Sequence, residues 1–188
     1  MIYYHLQIIL GSSSVARRKI LSEMGYEFTK MTADIDEKSI RKETPEELVM
    51  ALAEAKAEAI LQKLPVDDYL KDAEPTLLIT CDQVVVYDGV VREKPSSKEE
   101  AQQFLKDYSG GHAATVSSVL VTNLKTGFRK GEWDRVDLVD EGVTLNVAGG
   151  LLIEHPSILP FVREVVGTTD SVMGLPKAVT ERLLKEAM

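Results

Sequence analysis

Residues 5–24 read HLQIILGSSSVARRKILSEM, and this stretch decides the fold class. His5 to Leu10, apolar at Leu6 and Ile8 to Leu10, looks like a buried strand and is too short for a core helix. Gly11 to Ser14 is a turn of small residues. Val15 to Met24 then repeats apolar residues at helical spacing and stops at Gly25. A buried strand feeding through a Gly-Ser loop into a helix is the opening of an α/β sheet. The rest of the chain continues the alternation. Glu27 to Met31 reads as a second short strand and Ala33 to Glu43 as a polar, acidic connection. Thr44 as N-cap, Pro45 at the first helical position and Glu47 three residues on predict a capping box and a helix to about Lys63. Its apolar stripe is Val49, Leu52, Ala53 and Ile60.

Further along, Pro65 to Pro75 reads as a loop, followed by a β-rich run from Thr76 through Cys81 and Asp82 to Tyr87. Asp88-Gly89 is a hairpin turn returning through Val90 to Arg92. Glu93-Lys94-Pro95 forms a corner, and Ser97 with Glu100 predicts a second capping box for a helix ending at Gly110-Gly111. His112 to Asn123 and Phe128 to Val139 read as neighbouring strands joined at Lys125-Thr126-Gly127. More strand is expected at Val143 to Val147, Leu151 to Glu154 and Val162 to Val166, with a last helix after Pro176. There is no internal repeat and no composition break, so residues 1–188 read as one mixed α/β domain.

Composition bounds the chemistry. With 44% hydrophobic and 28% charged residues, 12 Gly and 7 Pro, collagen-like, low-complexity and disordered readings are excluded. The balance of 22 basic against 30 acidic residues gives a net charge of -8, which argues against binding to nucleic-acid polymers or anionic membranes. Any anionic ligand must therefore meet a local basic cluster. Cys81 is the sole cysteine, so no internal disulfide or Cys-rich zinc site exists, and a reducing, cytoplasmic setting is expected. The first ten residues lack a basic leader and a cleavage pattern, and no window approaches a membrane span.

Five groups can carry chemistry. Gly11-Ser12-Ser13-Ser14, opening a helix that carries Arg17 and Arg18, supplies the free N–H groups, hydroxyls and cation of an anion site; the plainer reading is an N-cap with a solvated basic turn. It is not a Walker loop, because the Gly-Lys-Ser/Thr ending is absent. Asp34-Ile35-Asp36-Glu37 offers hard oxygen ligands of the type Mg²⁺ takes, or is simply a solvated acidic run. Lys56 continues the apolar stripe of its helix, and an inward lysine either snorkels or meets an anion. Asp82 follows a buried run, where α/β sheets place ligand chemistry; it can bind a metal, act as general base, or cap a turn. Cys81 alternates to the opposite face, and a Cys81–His112 hydrolase has no local signature in its favour. Lys94 sits at the proline corner. Separated cations at Arg17, Lys56 and Lys94, with carboxylates at Glu37 and Asp82, make up the toolkit of metal-assisted phosphoanhydride hydrolysis.

These stretches resemble one family. LGSSSVARRKIL, TADIDE, LAEAKA, ITCDQVVVYDGVVREKP, YSGG, NVAGGLLIE and VVGTTDSVMGLP are similar, in order and over nearly the whole chain, to the motifs of the Maf nucleoside triphosphate pyrophosphatases. The resemblance implies an inosine-triphosphatase-like mixed sheet with flanking helices and a homodimer. It also implies a divalent cation, Mg²⁺ or Mn²⁺, and hydrolysis of a nucleoside triphosphate to monophosphate and pyrophosphate. By position it makes Asp82 the proton acceptor that activates water against the α-phosphorus. Ser12, Ser14 and Arg17 become phosphate contacts, Glu37 a metal or catalytic group beside Asp82, and Lys56 and Lys94 triphosphate contacts.

Three positions divide the family by base. The pyrimidine branch has Arg, Thr and Gln where this chain has Ala16, Gln83 and Glu154; the branch resembling 7-methyl-GTP pyrophosphatases has an aromatic residue, Gln and Glu. Two of the three point to a methylated guanosine, and a carboxylate suits both the guanine N1–H edge and the cationic N7-methylated ring. Ala16 lacks the stacking surface. A second departure lies at Asp137 to Gly142, which joins Val136 to Val143 directly where family members carry a further strand end and a helix; about a dozen residues, one average helix, are missing. That shortening favours the alternative reading of a nucleotide-binding regulatory protein tied to division arrest, with little turnover.

Overall fold

The computed structural model describes residues 6–92, 96–108, 112–140 and 162–188. Its centre is a mixed seven-stranded sheet in the order β2-β1-β3-β5-β6-β7, with β4 paired to β3 off that path. β1 (Gln7–Gly11) runs parallel to β2 (Thr29–Lys30) and to β3 (Thr76–Tyr87). β3 pairs antiparallel with β4 (Val90–Arg92) and β5 (His112–Asn123). The ladder continues antiparallel through β6 (Arg129–Asp140) to β7 (Val162–Val166).

Helices cover both faces, and the two-residue period of β3 states which face each residue serves. Leu77, Ile79 and Cys81 face α1 (Val15–Glu23) and α6 (Lys177–Ala187), in a core with Ile20, Leu21, Leu183 and Leu184. Leu78, Thr80, Asp82, Val84 and Val86 alternate to the face covered by α2 (Pro45–Leu61), whose Leu48, Val49, Leu52, Ala53, Ala57 and Ile60 are buried. β3 is thus apolar on both sides over its first half, as a central strand between two helix layers must be. Thr80 and Ser118 dock α2 further by donating to the carbonyls of Ala53 (2.8 Å) and Val49 (2.7 Å).

The start of α2 follows its sequence: Thr44 accepts from the Glu47 N–H, the Glu47 carboxylate accepts from the Thr44 N–H, and Pro45 opens the helix. At the Asp88-Gly89 hairpin both residues take positive φ, 49° and 74°, as a two-residue turn requires. Elsewhere the structure departs from expectation. A short helix, α3 (Val66–Tyr69), lies inside the predicted Pro65 to Pro75 loop. At α4 (Lys98–Tyr108) only half of the second capping box forms: Ser97 accepts from the Glu100 N–H, but the Glu100 carboxylate accepts from the N–H and hydroxyl of Ser96. A further short helix, α5 (Thr169–Val172), precedes α6. The predicted strands at Val143 to Val147 and Leu151 to Glu154, and the corner at Lys94, lie outside the described residues.

Candidate active site

The site forms where the sheet splits. One edge of β3 is paired to β5 throughout; the other pairs with β1 only as far as Gly11 opposite Thr80, and with β4 only from Val85. Cys81 to Val84 therefore have no ladder partner on that edge among the described residues. Asp82 sits in this gap, at the middle of a twelve-residue strand rather than at its end as the sequence suggested. The chemistry is still at the carboxyl end of a parallel strand, because that strand is β1.

Close packing delivers the opening loop to this gap. A Cβ on Gly11 would stand 2.6 Å from Ile60 Cδ1 and 2.7 Å from Thr80 Cγ2, so the bare glycine lets α2 lie close over the end of β1 beside β3. Ser14 then caps α1 by accepting from the Arg17 N–H (3.3 Å), and Ser12 accepts from the Ser14 N–H (3.2 Å). The first turn of α1 carries no acidic residue. Arg17 reaches back across the gap: Nε donates to the Gly174 carbonyl (2.9 Å) and Nη1 to the Cys81 carbonyl (3.2 Å). Ala16 is half-buried on the same helix.

From the α2 face, Lys56 donates to Asp82 and lies 2.9 Å from Glu37. The side chains of Lys56 and Asp82 are 12% and 10% exposed and that of Glu37 is 40% exposed, so the ammonium bridges a buried carboxylate and one at the mouth. Glu37 is held there by a 3₁₀ turn, Glu37–Ser39, whose flanking Ile35 and Ile40 pack on the core beneath. Asp36 caps that turn by accepting from the Lys38 N–H (3.1 Å), and Asp34 is exposed. Of the acidic run, Glu37 is the residue that meets the site. The two isoleucines in an otherwise polar connection were the signal for this anchoring.

Burial pushes the Asp82 carboxyl above its ordinary range; Lys56 and Arg17 pull it back only in part, and Glu37 adds to the rise. A buried carboxyl with a raised proton affinity suits a general base better than a free surface aspartate does. Glu37 and Asp82 are hard oxygen donors converging on one cation. Mg²⁺ and Mn²⁺ take one or two protein carboxylates beside phosphate oxygens and water, so the donor chemistry fits such an ion. Among the described residues no group of three His, Cys, Asp or Glu side chains gathers to hold a metal.

Cys81 is fully buried on the other face, and burial pushes its thiol up to about 11 despite Arg17 and Lys56. It stands opposite Val119, while His112 lies at the far end of the same strand, about 23 Å along it at the usual strand rise. A Cys81–His112 pair is not formed. Gln83 projects to the α5 side, where its amide nitrogen donates to the carbonyls of Val172 (2.7 Å) and Ser171 (3.2 Å) and to Ser117 Oγ (2.9 Å). Its donors are thus spent on the protein. Lys94 and Glu154 lie outside the described residues. Sequence reasoning passed over Ser117 and Ser118, a hydroxyl pair inside the apolar strand AATVSSVLV; Ser118 accepts from the Asp82 N–H (3.2 Å) and so ties Asp82 to α2.

Comparison with protein families matches residues 7–187 to the one described as "Maf-like protein". Similar proteins include a "7-methyl-GTP pyrophosphatase" of Dictyostelium discoideum, 35% identical over 95% of this chain and 96% of its own. Another is a "dTTP/UTP pyrophosphatase" of Thermotoga petrophila, 34% identical over 96% of this chain and 89% of its own. Among solved structures, the Ham1 protein of Staphylococcus aureus superposes with a TM-score of 0.53 at 11% identity, covering 96% of each chain. That likeness shows the fold, the inosine-triphosphatase-like α/β architecture expected from the motifs. No helix among the described residues is long and apolar enough to cross a membrane.

Proposed function

The chain belongs to the Maf family, and we infer that it is a nucleoside triphosphate pyrophosphatase, a hydrolase of phosphoric anhydrides. The observation that carries the assignment to this site is the convergence of buried Asp82 and Lys56 with Glu37 at the gap in the sheet, beside Arg17 of α1. Asp82 takes the proton of a water that attacks the α-phosphorus, releasing nucleoside monophosphate and pyrophosphate. Lys56, Arg17 and the opening loop at Ser12 and Ser14 hold the triphosphate oxygens, and Lys94 adds a further cation. Charge develops on the bridging oxygen of the leaving pyrophosphate as the anhydride breaks, so cations fixed beside the triphosphate stabilise that step more than the ground state. A divalent cation held by Glu37 and Asp82 would neutralise phosphate charge and polarise the phosphoryl group.

The preferred substrate in this reading is a methylated guanosine triphosphate, with Ala16, Gln83 and Glu154 as the base-setting positions. The Dictyostelium relative's name supports it, while relatives at nearly the same identity carry pyrimidine names. A homodimer in a cytoplasmic setting completes the proposal. Pyrophosphate release from a panel of canonical and modified triphosphates tests it, with Asp82→Asn as control. Release that survives in Asp82→Asn at the wild-type rate would remove Asp82 as the base.

One observation keeps the second reading alive. The alignment to the Dictyostelium protein spans 192 positions, whereas 95% of this chain's 188 residues is about 179, so about 13 positions of that alignment have no residue in this chain. This supports the shortening read near residues 136–143. A nucleotide-binding regulator with little turnover is selected if triphosphate binds under saturating Mg²⁺ or Mn²⁺ and is not hydrolysed.

A further inference from the structure

Arg17 does not orient itself. Its guanidinium donates through Nε to the Gly174 carbonyl and through Nη1 to the Cys81 carbonyl and Ser12 Oγ, and Gly174 takes a positive φ, +91°, just after the Met173 cap of α5. A Cβ there would lie 3.1 Å from Arg17 Nε and Nη2 and 3.2 Å from Gln83 Oε1, so the turn is wedged between the two side chains. The turn closes through the Gly174 N–H to the Ser171 carbonyl (2.8 Å) and the Leu175 N–H to the Asp170 carbonyl (3.0 Å), and the last carbonyls of a four-residue helix can take outside donors as well.

The sheet supplies them. Ser117 Oγ, fully buried on β5, donates to the Ser171 carbonyl (3.0 Å) and accepts from Gln83 Nε2 (2.9 Å). Gln83 donates onward to the Ser171 and Val172 carbonyls. Leu175, fully buried, anchors the far side of the turn in the core. The chain of contacts runs from Ser117 and Gln83, through the α5 carbonyls and Gly174, to Arg17.

We propose that Ser117 is a positioning residue which, with Gln83, sets the Arg17 guanidinium through α5 and Gly174. This rests on the pyrophosphatase reading of the site. The test compares wild type, Ser117→Ala, Arg17→Ala and the double variant, measuring kcat/KM on one purine and one pyrimidine triphosphate together with amide hydrogen exchange at residues 172–175. Loss of the two hydrogen bonds of Ser117 Oγ predicts a fall of about fivefold or more in Ser117→Ala, the same for both bases, with faster exchange at Gly174 and Leu175. In the Arg17→Ala background Ser117→Ala causes no further fall, which a general structural defect would. Ser117→Cys, which keeps the size and weakens the same bonds, repeats the pattern in smaller measure and replaces Ser117→Ala should the latter not fold. A loss that differs between bases, a loss that persists without Arg17, or unchanged exchange overturns the proposal. If wild type hydrolyses neither triphosphate, the pyrophosphatase reading fails, and the exchange rates alone then decide: faster supports the latch, unchanged refutes it.

Discussion

Replacing Lys56 by Met keeps the side-chain stem against the core and deletes only the ammonium that Glu37 and Asp82 share. Breaking a fully buried ion pair by removing one partner destabilises by about 3–5 kcal/mol. Two features reduce that here. Glu37 is 40% exposed and solvates itself, and Asp82 can escape its uncompensated charge by taking up a proton. We therefore expect a loss of about 1–3 kcal/mol at pH 8, or ~2–12 °C in Tm for a chain of this size. The pH dependence follows from the direction of the Asp82 shift. Its carboxyl already sits above the ordinary range through burial, and Lys56 is the first of the groups pulling it down, so Lys56→Met raises it further. A carboxyl whose affinity for protons is higher folded than unfolded stabilises the fold while protonated, and that contribution is lost as pH rises through the folded-state value. The deficit is thus largest at pH 8 and shrinks toward pH 5. Urea unfolding of both proteins across that range measures it. A deficit that is constant with pH, or that grows on acidification, would refute the shared-ammonium account.

Because Lys56 occupies the space between the two carboxylates, ligand-free Lys56→Met should bind Mn²⁺ more tightly than wild type in titrations followed by electron paramagnetic resonance; weaker binding would show that lysine and metal do not compete. Cys81, buried and pushed up to about 11, should resist Ellman's reagent in the native protein at pH 8 and react on unfolding. Cys81→Ser should keep pyrophosphate release while losing about 1–3 kcal/mol for a hydroxyl placed in an apolar core, as read from urea unfolding. Gly11→Ala forces a methyl against Ile60 and Thr80 and should lose about 1–3 kcal/mol by overpacking, with a matching drop in Tm.

What could be read from sequence was whatever a local pattern enforces. The α2 capping box and the Asp88-Gly89 turn are set by residues within four positions of one another, and both formed. The inward placement of Lys56 followed from helical spacing, and the opposite faces of Cys81 and Asp82 from strand alternation. Features that depend on pairing were hidden. Asp82 lies in mid-strand because β5 pairs β3 through Tyr87, and its other edge is open because β1 ends opposite Thr80, registers that no local pattern records. The Glu100 carboxylate turned to Ser96, a choice between adjacent donors of the same kind. Helix α5 is four residues long, and its carbonyls are held from two distant strands, so its own sequence carried little signal. That α5 claims the Gln83 amide was likewise hidden, because the carbonyls it meets lie 88 and 89 residues away.

The measurement that bears most directly on the central claim is the position of the bond that water breaks. Hydrolysis of a nucleoside triphosphate in ¹⁸O-water, with products resolved by ³¹P NMR, should give only monophosphate and pyrophosphate, with the heavy oxygen in the monophosphate, and Asp82→Asn should abolish both signals. Label in pyrophosphate, or release of diphosphate and orthophosphate, would place the attack away from the α-phosphorus and contradict the assignment.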